Sequence, residues 1–415
     1  MLYRLFVNMR TLFSTLLYFA AIPWMMAQTT VDVIVENPLK TARTDQPVVL
    51  SLADYGTDIR QAIVRCGDEE IPCQLDDLDQ DETFDELCFL VDLQKREKKR
   101  YQVTLLTTGE PRSYPARVYT EMLVPNTKDK TLKKHQQNNF LEAITARGDA
   151  AYTYNIQHHH GVCFESELNA IRIYFDARQT LDLYGKFQKR LELKDTQFYT
   201  AAEQKAQGYG DDVLWVGQTF GLGAFRGWDG QRPTLVEPVR SRTQRIISYG
   251  PLRTIVEVVD RGWLPAGAIQ PINMTLRYIQ YAGHRDTDVE VLFNRDVTGY
   301  RFSTGIINVK NSTEYSDHKG LRACWGTDYP STAEGAKLET VGLAVCVPQQ
   351  NIVSEEPANK DNYAYVLKVD GQKMTYKVAY TSDNETFGYH SADAWFDYLK
   401  AWRNEVDHPV TFQTR

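Results

Sequence analysis

Met274-Thr-Leu-Arg-Tyr-Ile-Gln-Tyr-Ala-Gly-His-Arg-Asp-Thr-Asp-Val-Glu-Val-Leu-Phe293 is β-patterned on both sides of a turn at Ala282-Gly-His-Arg-Asp286, so it reads as a long hairpin. Gln244 to Asp260 repeats the arrangement around Tyr249-Gly250-Pro251. Asn169-Ala-Ile-Arg-Ile-Tyr-Phe175 and Arg190-Leu-Glu-Leu193 read as strands, as do residues 340–347, 363–369 and 374–381. So many strands and long hairpins predict a large sandwich running from residue 116 to 415. Upstream, Val31-Asp-Val-Ile-Val35 alternates, and short strands follow at 47–52, 62–65, 71–75, 87–91 and 101–106, separated by Gly, Asp and Lys-rich turns. They predict a small N-terminal β-sandwich over 28–112. Gly109-Glu-Pro-Arg-Ser-Tyr-Pro115 reads as the linker. One helix is expected: Ser391 caps it, Ala394, Trp395, Tyr398, Leu399 and Trp402 recur at helical spacing, and Pro409 stops it. The last strand is expected at Val410–Thr414. The fold class is thus mainly β, two sandwiches with a short C-terminal helix.

The chain opens with Arg4 and Arg10 ahead of an uncharged, mostly apolar stretch, Thr11 to Met26, and with Ala27 before polar Gln28. That is the pattern of a signal peptide over 1–27, and it predicts a periplasmic or secreted protein. The apolar run is shorter than the ~20 residues that span a bilayer, so no membrane attachment is expected after cleavage. Cleavage removes two arginines and no acid, taking the formal charge from −7 to −9. No basic stripe interleaved with aromatics occurs, which argues against nucleic acid as a partner. Six cysteines lack CxxC spacing, which argues against a zinc cage. Cys66 and Cys73 flank a turn and could face each other, or all six could be buried thiols. The 24 tyrosines and seven tryptophans suit strands and sugar-stacking clefts equally.

The densest chemistry lies in His158-His159-His160-Gly161-Val-Cys-Phe-Glu165-Ser-Glu167-Leu-Asn-Ala-Ile-Arg172-Ile-Tyr174. Histidine transfers protons near neutral pH. In an extended chain His158 and His160 would share one face and His159 the other, and Arg172 and Tyr174 would share a face of the next strand. Arg172 could fork onto a substrate carboxylate. A glycine-dense segment carries Tyr209, Asp211, Asp212 and Trp215, then Arg226, Trp228 and Asp229; such spacing marks a loop or a close approach to ligand. Lys186 is a candidate base or anion contact, against the commoner solvated lysine. Asp77, Asp79, Asp81 and Asp85 have spacing that suits Ca2+, although Glu82 stands where a glycine normally turns the loop; a solvated acidic hairpin is the rival reading. No other cofactor is expected. The turns at His284-Arg285-Asp286 and at His318 rank lower, and no GxSxG elbow is present.

Taken together, Gln74-Leu-Asp-Asp-Leu-Asp79, Asp85-Glu-Leu87, His159-His-Gly161, Glu165-Ser-Glu167, Asp182-Leu-Tyr-Gly-Lys186, Gly208-Tyr-Gly-Asp-Asp212, Arg226-Gly-Trp-Asp-Gly230 and the Trp395 helix give a resemblance. The chain resembles an uncharacterised family of exported Bacteroidota proteins from loci that degrade pectin-like, uronate-rich glycans. The resemblance implies a β-supersandwich similar to galactose mutarotase and several polysaccharide lyases, and an acidic oligosaccharide as partner. The leading expectation is β-elimination on a uronate-containing oligosaccharide. It needs a clamp on the carboxylate (Arg172 or Arg226), a base (His159 or His160) and an acid (Tyr174 or Tyr209). The catalytic set is completed by Glu167 and Asp211; His158, Glu165, Lys186, Asp212, Trp215, Arg226, Trp228 and Asp229 are expected to bind substrate. The alternatives are a glycoside hydrolase using two of Glu165, Glu167, Asp211 and Asp212, a mutarotase-like epimerase, and a non-catalytic glycan binder keeping Trp215 and Trp228.

Overall fold

A computed structural model describes residues 28–126, 138–148, 152–331 and 336–415; the expected leader at 1–27 lies outside them. Strands Ile272–Tyr281 and Asp286–Phe293 pair antiparallel, with Met274 opposite Phe293 and Tyr278 opposite Val289. Period-two alternation puts Met274, Leu276, Tyr278, Val289 and Val291 on one buried face. The hairpin is the middle of a nine-stranded antiparallel sheet. That sheet also contains both arms of the predicted Tyr249-Gly250-Pro251 hairpin, Ser241–Tyr249 and Arg253–Trp263.

Two five-stranded sheets pack against its inner face. One runs Asp211–Asp212, Leu181–Gly185, Ala170–Tyr174, Gly161–Ser166, Val118–Glu121. The other is built around Phe302–Ile307 and Asn362–Leu367. Phe164, Ile171 and Leu183 from the first, Phe302 and Tyr365 from the second, and Val258, Leu276, Val291 and Val378 from the large sheet form one core. This is the large sandwich.

A smaller sandwich pairs a five-stranded with a three-stranded sheet around Val33, Val48, Val64, Phe89, Tyr101 and Val103. The final strand Thr411–Thr414 joins it, pairing with Gln28–Glu36. Helix Ala392–Asp407 starts where expected, with the Ser391 hydroxyl accepting from Ala394 N at 3.2 Å. Its buried residues Trp395, Phe396, Leu399 and Trp402 pack on Leu321, Ala323, Ala344 and Ala379 of the large sheet.

Two sequence expectations change, and of the two readings of the cysteines one holds. Arg190–Leu193 is not a strand. The amides of Glu192 and Leu193 donate to the buried carboxylate of Glu165 at 2.8–2.9 Å, so they make no ladder bonds. Short helices at Tyr152–Ile156, Leu193–Thr196 and Ala202–Ala206 join the expected one. Finally, all six cysteines are free, and Cys73 donates to Ala62 O rather than bonding Cys66.

Candidate functional site

Alternation along the sheet that holds Arg172 sends Phe164, Ile171 and Leu183 into the core. The opposite face is polar. Register aligns Glu121, Cys163, Arg172 and Asp182 across four strands, and Tyr119, Glu165, Ala170, Tyr184 and Asp212 in the next row. Short helices and the loop around Phe198 and Tyr199 cover this face.

Arg172 is the hub. Its Nε and Nη2 donate to Asp182 Oδ2 at 3.0 and 2.6 Å, and Nη2 also reaches Asp212 Oδ2 at 2.9 Å. Nη2 also lies 3.1 Å from the Tyr174 hydroxyl, Nη1 donates to the Tyr199 hydroxyl at 3.2 Å, and Tyr174 donates to Asp182 Oδ2 at 2.5 Å. The guanidinium lies over the Phe198 ring at 4.2 Å. Two carboxylates therefore share one cation. Burial, and then the charge of Asp182, push the Asp212 carboxyl well above the usual carboxylate range, against the pull of Arg172. Asp182 is sealed, whereas the Asp212 side chain is 25% exposed. Burial and the charge of Asp182 likewise raise the Tyr174 phenol.

Rings form the rim. Tyr199 is 39% exposed and Trp215 53% exposed. The Tyr154 ring stacks on His160 at 4.1 Å and meets Tyr174 edge-on. Arg178 lies over both tyrosines while forking onto Asp176. His160 holds a left-handed backbone (φ 68°), rare for a residue with a β-carbon. Its Nδ1 bonds Tyr154 O at 3.0 Å, and burial lowers its pKa.

The expected residues divide. Arg172, Tyr174, Asp212 and His160 gather here, His158 touches Tyr199 edge-on, and Trp215 is an exposed ring three residues along the chain from Asp212. The histidine run is not extended: it is a turn after helix Tyr152–Ile156, so the predicted alternation of faces fails. His159 is fully buried against Glu121 and Cys163. Glu165 and Lys186 form a sealed pair, with Lys186 Nζ also donating to Ser166 O and Arg190 O; neither meets solvent, so substrate contact by either is set aside. Glu167 spends its two oxygens on Arg117 and Gly283 N, which removes it from the catalytic set. Tyr209 donates to Asp195 under the Arg190 guanidinium, and Asp211 pairs with Lys205. Arg226 is buried on the carbonyls of Gln218 and Thr219 and the Thr180 hydroxyl, so it cannot clamp a substrate. Trp228 and Asp229 line a separate depression with Tyr300 and Arg301, where backbone amides of Arg232 and Gln231 lower the Asp229 pKa. The glycine-rich segment thus serves two places.

In the acidic loop, carboxylate oxygens of Asp77, Asp79 and Asp85 converge, but Asp81 turns to the Thr83 amide and leaves the expected Ca2+ set. Asp77 is taken up by three backbone amides, the ordinary chemistry of a turn.

Sequence reasoning missed Asp182, Tyr199, Tyr154 and Arg178. Asp182 was legible in principle, because the strands around the Asp176–Gln179 turn place it opposite Arg172. A cavity of about 880 Å3 lies elsewhere, on the outer face of the large sheet under the C-terminal helix. Its charges, such as Arg277 with Glu290 and Lys377 with Asp288, are mutually paired.

Among solved structures, a protein in glycosyl hydrolase family 38 from Enterococcus faecalis aligns with a TM-score of 0.47 at 10% identity, covering 93% of this chain and 47% of that one. An alpha-mannosidase from Enterococcus faecalis V583 gives 0.46 at 10% identity, covering 93% and 46%. The chain spans about half the length of these structures. No curated protein matches it. The sequence profile of a domain of unknown function, DUF4861, matches residues 35–412, and the chain belongs to that family.

Proposed function

We propose that the protein is a carbohydrate-active enzyme that cleaves a glycosidic bond, with Asp212 giving its proton to the leaving oxygen. The observation that carries this reading is the sharing of Arg172 Nη2 by Asp182 and Asp212, at 2.6 and 2.9 Å. Ionising Asp212 would set a second negative charge beside Asp182 in a mostly dry place, so Asp212 stays an acid. Asp212 reaches solvent and so can meet substrate; Asp182 and Arg172 are positioning residues behind it. The exposed rings of Tyr199 and Trp215 suit the apolar faces of a sugar.

Hydrolysis is favoured over the elimination expected from sequence. Elimination needs a cation free to grip the uronate, yet Arg172 is held by two aspartates and Arg226 by backbone carbonyls. In hydrolysis the anomeric C–O bond breaks, the Asp212 proton goes to the leaving oxygen, water adds its hydroxyl to the anomeric carbon, and the proton that water releases returns through solvent to the Asp212 carboxylate. With the leader expected at 1–27, the reaction takes place outside the cytoplasm.

The test is a panel of neutral and uronate-containing oligosaccharides with mass spectrometry and ultraviolet absorbance as readouts. Water-added fragments are expected, with the rate falling as pH rises through the raised Asp212 pKa. Asp212→Asn is expected to lose about 10²–10⁴-fold in kcat with unchanged circular dichroism. Unsaturated products would overturn hydrolysis, and an Asp212→Asn variant at full rate would overturn the assignment of the acid.

A further inference from the structure

At one end of the polar row, three groups converge that the Arg172 cluster does not use. His159 Nε2 lies 3.4 Å from Cys163 Sγ and 3.4 Å from Glu121 Oε1, and Cys163 Sγ lies 3.9 Å from that same oxygen. All three residues are between 0 and 1% exposed. They come from three places that the fold joins. Glu121 and Cys163 are direct partners on adjacent strands, and His159 sits in the turn that leads into the second of them.

One ligand atom from each of the three residues points to a common place. His159 Nδ1 lies 2.7 Å from Gly161 O, which fixes the proton on that nitrogen and leaves Nε2 a lone pair. Glu121 Oε2 is occupied by the Tyr119 hydroxyl at 2.7 Å. The remaining oxygen of Glu121 and Nε2 of His159 are then two acceptors facing each other, with one weak thiol proton to share.

We propose that Glu121, His159 and Cys163 bind one divalent transition-metal ion of the zinc class. Bonds of about 2.0–2.1 Å to nitrogen and oxygen and 2.3 Å to sulfur, at tetrahedral angles, place ligand atoms roughly 3.3–3.6 Å apart. The three separations above fall within a few tenths of an ångström of that range. A thiolate and a carboxylate neutralise a divalent ion, which suits a buried site. The carbonyl that holds the far nitrogen of His159 is the usual support for a ligating imidazole. The absence of CxxC spacing does not count against this set, because its ligands meet across strands. The ion would tie strand Val118–Glu121 to strand Gly161–Ser166 and fix the turn that carries His160 to the rim.

The test uses the whole mature protein, produced with Zn2+ or Co2+ and dialysed. Metal analysis is expected to give about one equivalent per chain, and the cobalt form a thiolate-to-metal charge-transfer band with tetrahedral visible absorption. Cys163→Ser should abolish that band and weaken the metal at least about tenfold. Glu121→Gln should weaken the metal and keep the band. Asp212→Asn, away from these ligands, should change neither. A folded wild-type protein that takes up neither ion, or a band that survives Cys163→Ser, would overturn the proposal. If Cys163→Ser does not fold, the wild-type cobalt spectrum and Glu121→Gln still decide it.

Discussion

Arg253→Met is expected to loosen the small sandwich from the large one. Arg253 rises from the large sheet and is almost wholly buried; it meets Asp76 Oδ2 through Nε at 2.8 Å and Nη2 at 2.7 Å, and Glu86 at 2.7 Å. Gln74 closes the joint, giving its amide hydrogens to Asp76, Ser248 and Arg253 O and accepting from the amides of Leu252 and Arg253. Removing one member of a buried ion pair typically costs about 3–5 kcal/mol. Here Asp76 retains donors from Gln74 Nε2 and the Ser248 hydroxyl, and Glu86 is partly exposed and can rehydrate. The low end, ~3 kcal/mol or about two decades in the opening equilibrium, is therefore expected. In the double variant Arg253→Met with Asp76→Leu no charge is stranded. The remaining loss is about 1 kcal/mol for each of the two donors left without Asp76, so the double variant should be the more stable one. The assay is urea unfolding combined with amide exchange in peptides of residues 28–106. A single variant within ~0.5 kcal/mol of wild type, or a double variant weaker than the single, would refute the reasoning.

Trp215→Ala should leave stability within about 0.5 kcal/mol, because the ring is 53% exposed, yet weaken oligosaccharide binding by roughly tenfold; calorimetric titration and a thermal melt separate the two. His284 gives a pH dependence. Burial works to lower its pKa, but the hydrogen bond and charge of Asp286 outweigh burial and the opposing Lys377, so the pKa is raised. Its Nε2 bonds Asp45 O at 2.7 Å across the two sandwiches. This contribution is fully present below the unfolded value near 6.5 and is lost as pH rises through the folded value. Melts across that window should show wild type losing stability with rising pH, and His284→Gln should lack that slope.

Much of the fold was legible because it is written in local periodicity. Met274–Phe293 alternates, and its alternate residues do face the core; Ser391 does cap the helix of Trp395, Leu399 and Trp402. The failures share a cause in partners distant along the chain. Arg190–Leu193 has the residues of a strand, but its amides are claimed by Glu165, which lies more than twenty positions earlier. The histidine run differs for a local reason: a short helix precedes it and His160 adopts φ 68°, so the faces an extended run would have do not arise. Lys186 has the composition of a surface lysine, and only the fold brings Glu165 and two carbonyls to its ammonium. Of the quoted motifs, Gln74, Asp76 and Glu86 prove to form the joint to Arg253.

The polar row explains why this one sheet carries both the acid and the metal ligands. A strand buried on both faces normally reads as continuous apolar sequence. Gly161–Ser166, Ala170–Tyr174 and Leu181–Gly185 are buried throughout, yet they place Cys163, Arg172 and Asp182 side by side under a cover of loop and short helices. Each buried polar group there must be satisfied by a neighbour, since unpaired it would cost about 1–3 kcal/mol or more. Arg172, Tyr174 and the Leu183 amide together satisfy Asp182, Arg172 satisfies Asp212 only in part, and what Asp212 lacks in compensation appears as a raised pKa. Glu121 and His159 face each other 3.4 Å apart beside Cys163, and the proposed ion would sit among the three. In both places, the unpaired remainder of a buried network marks where chemistry from outside the chain, a glycosidic oxygen or a metal ion, fits.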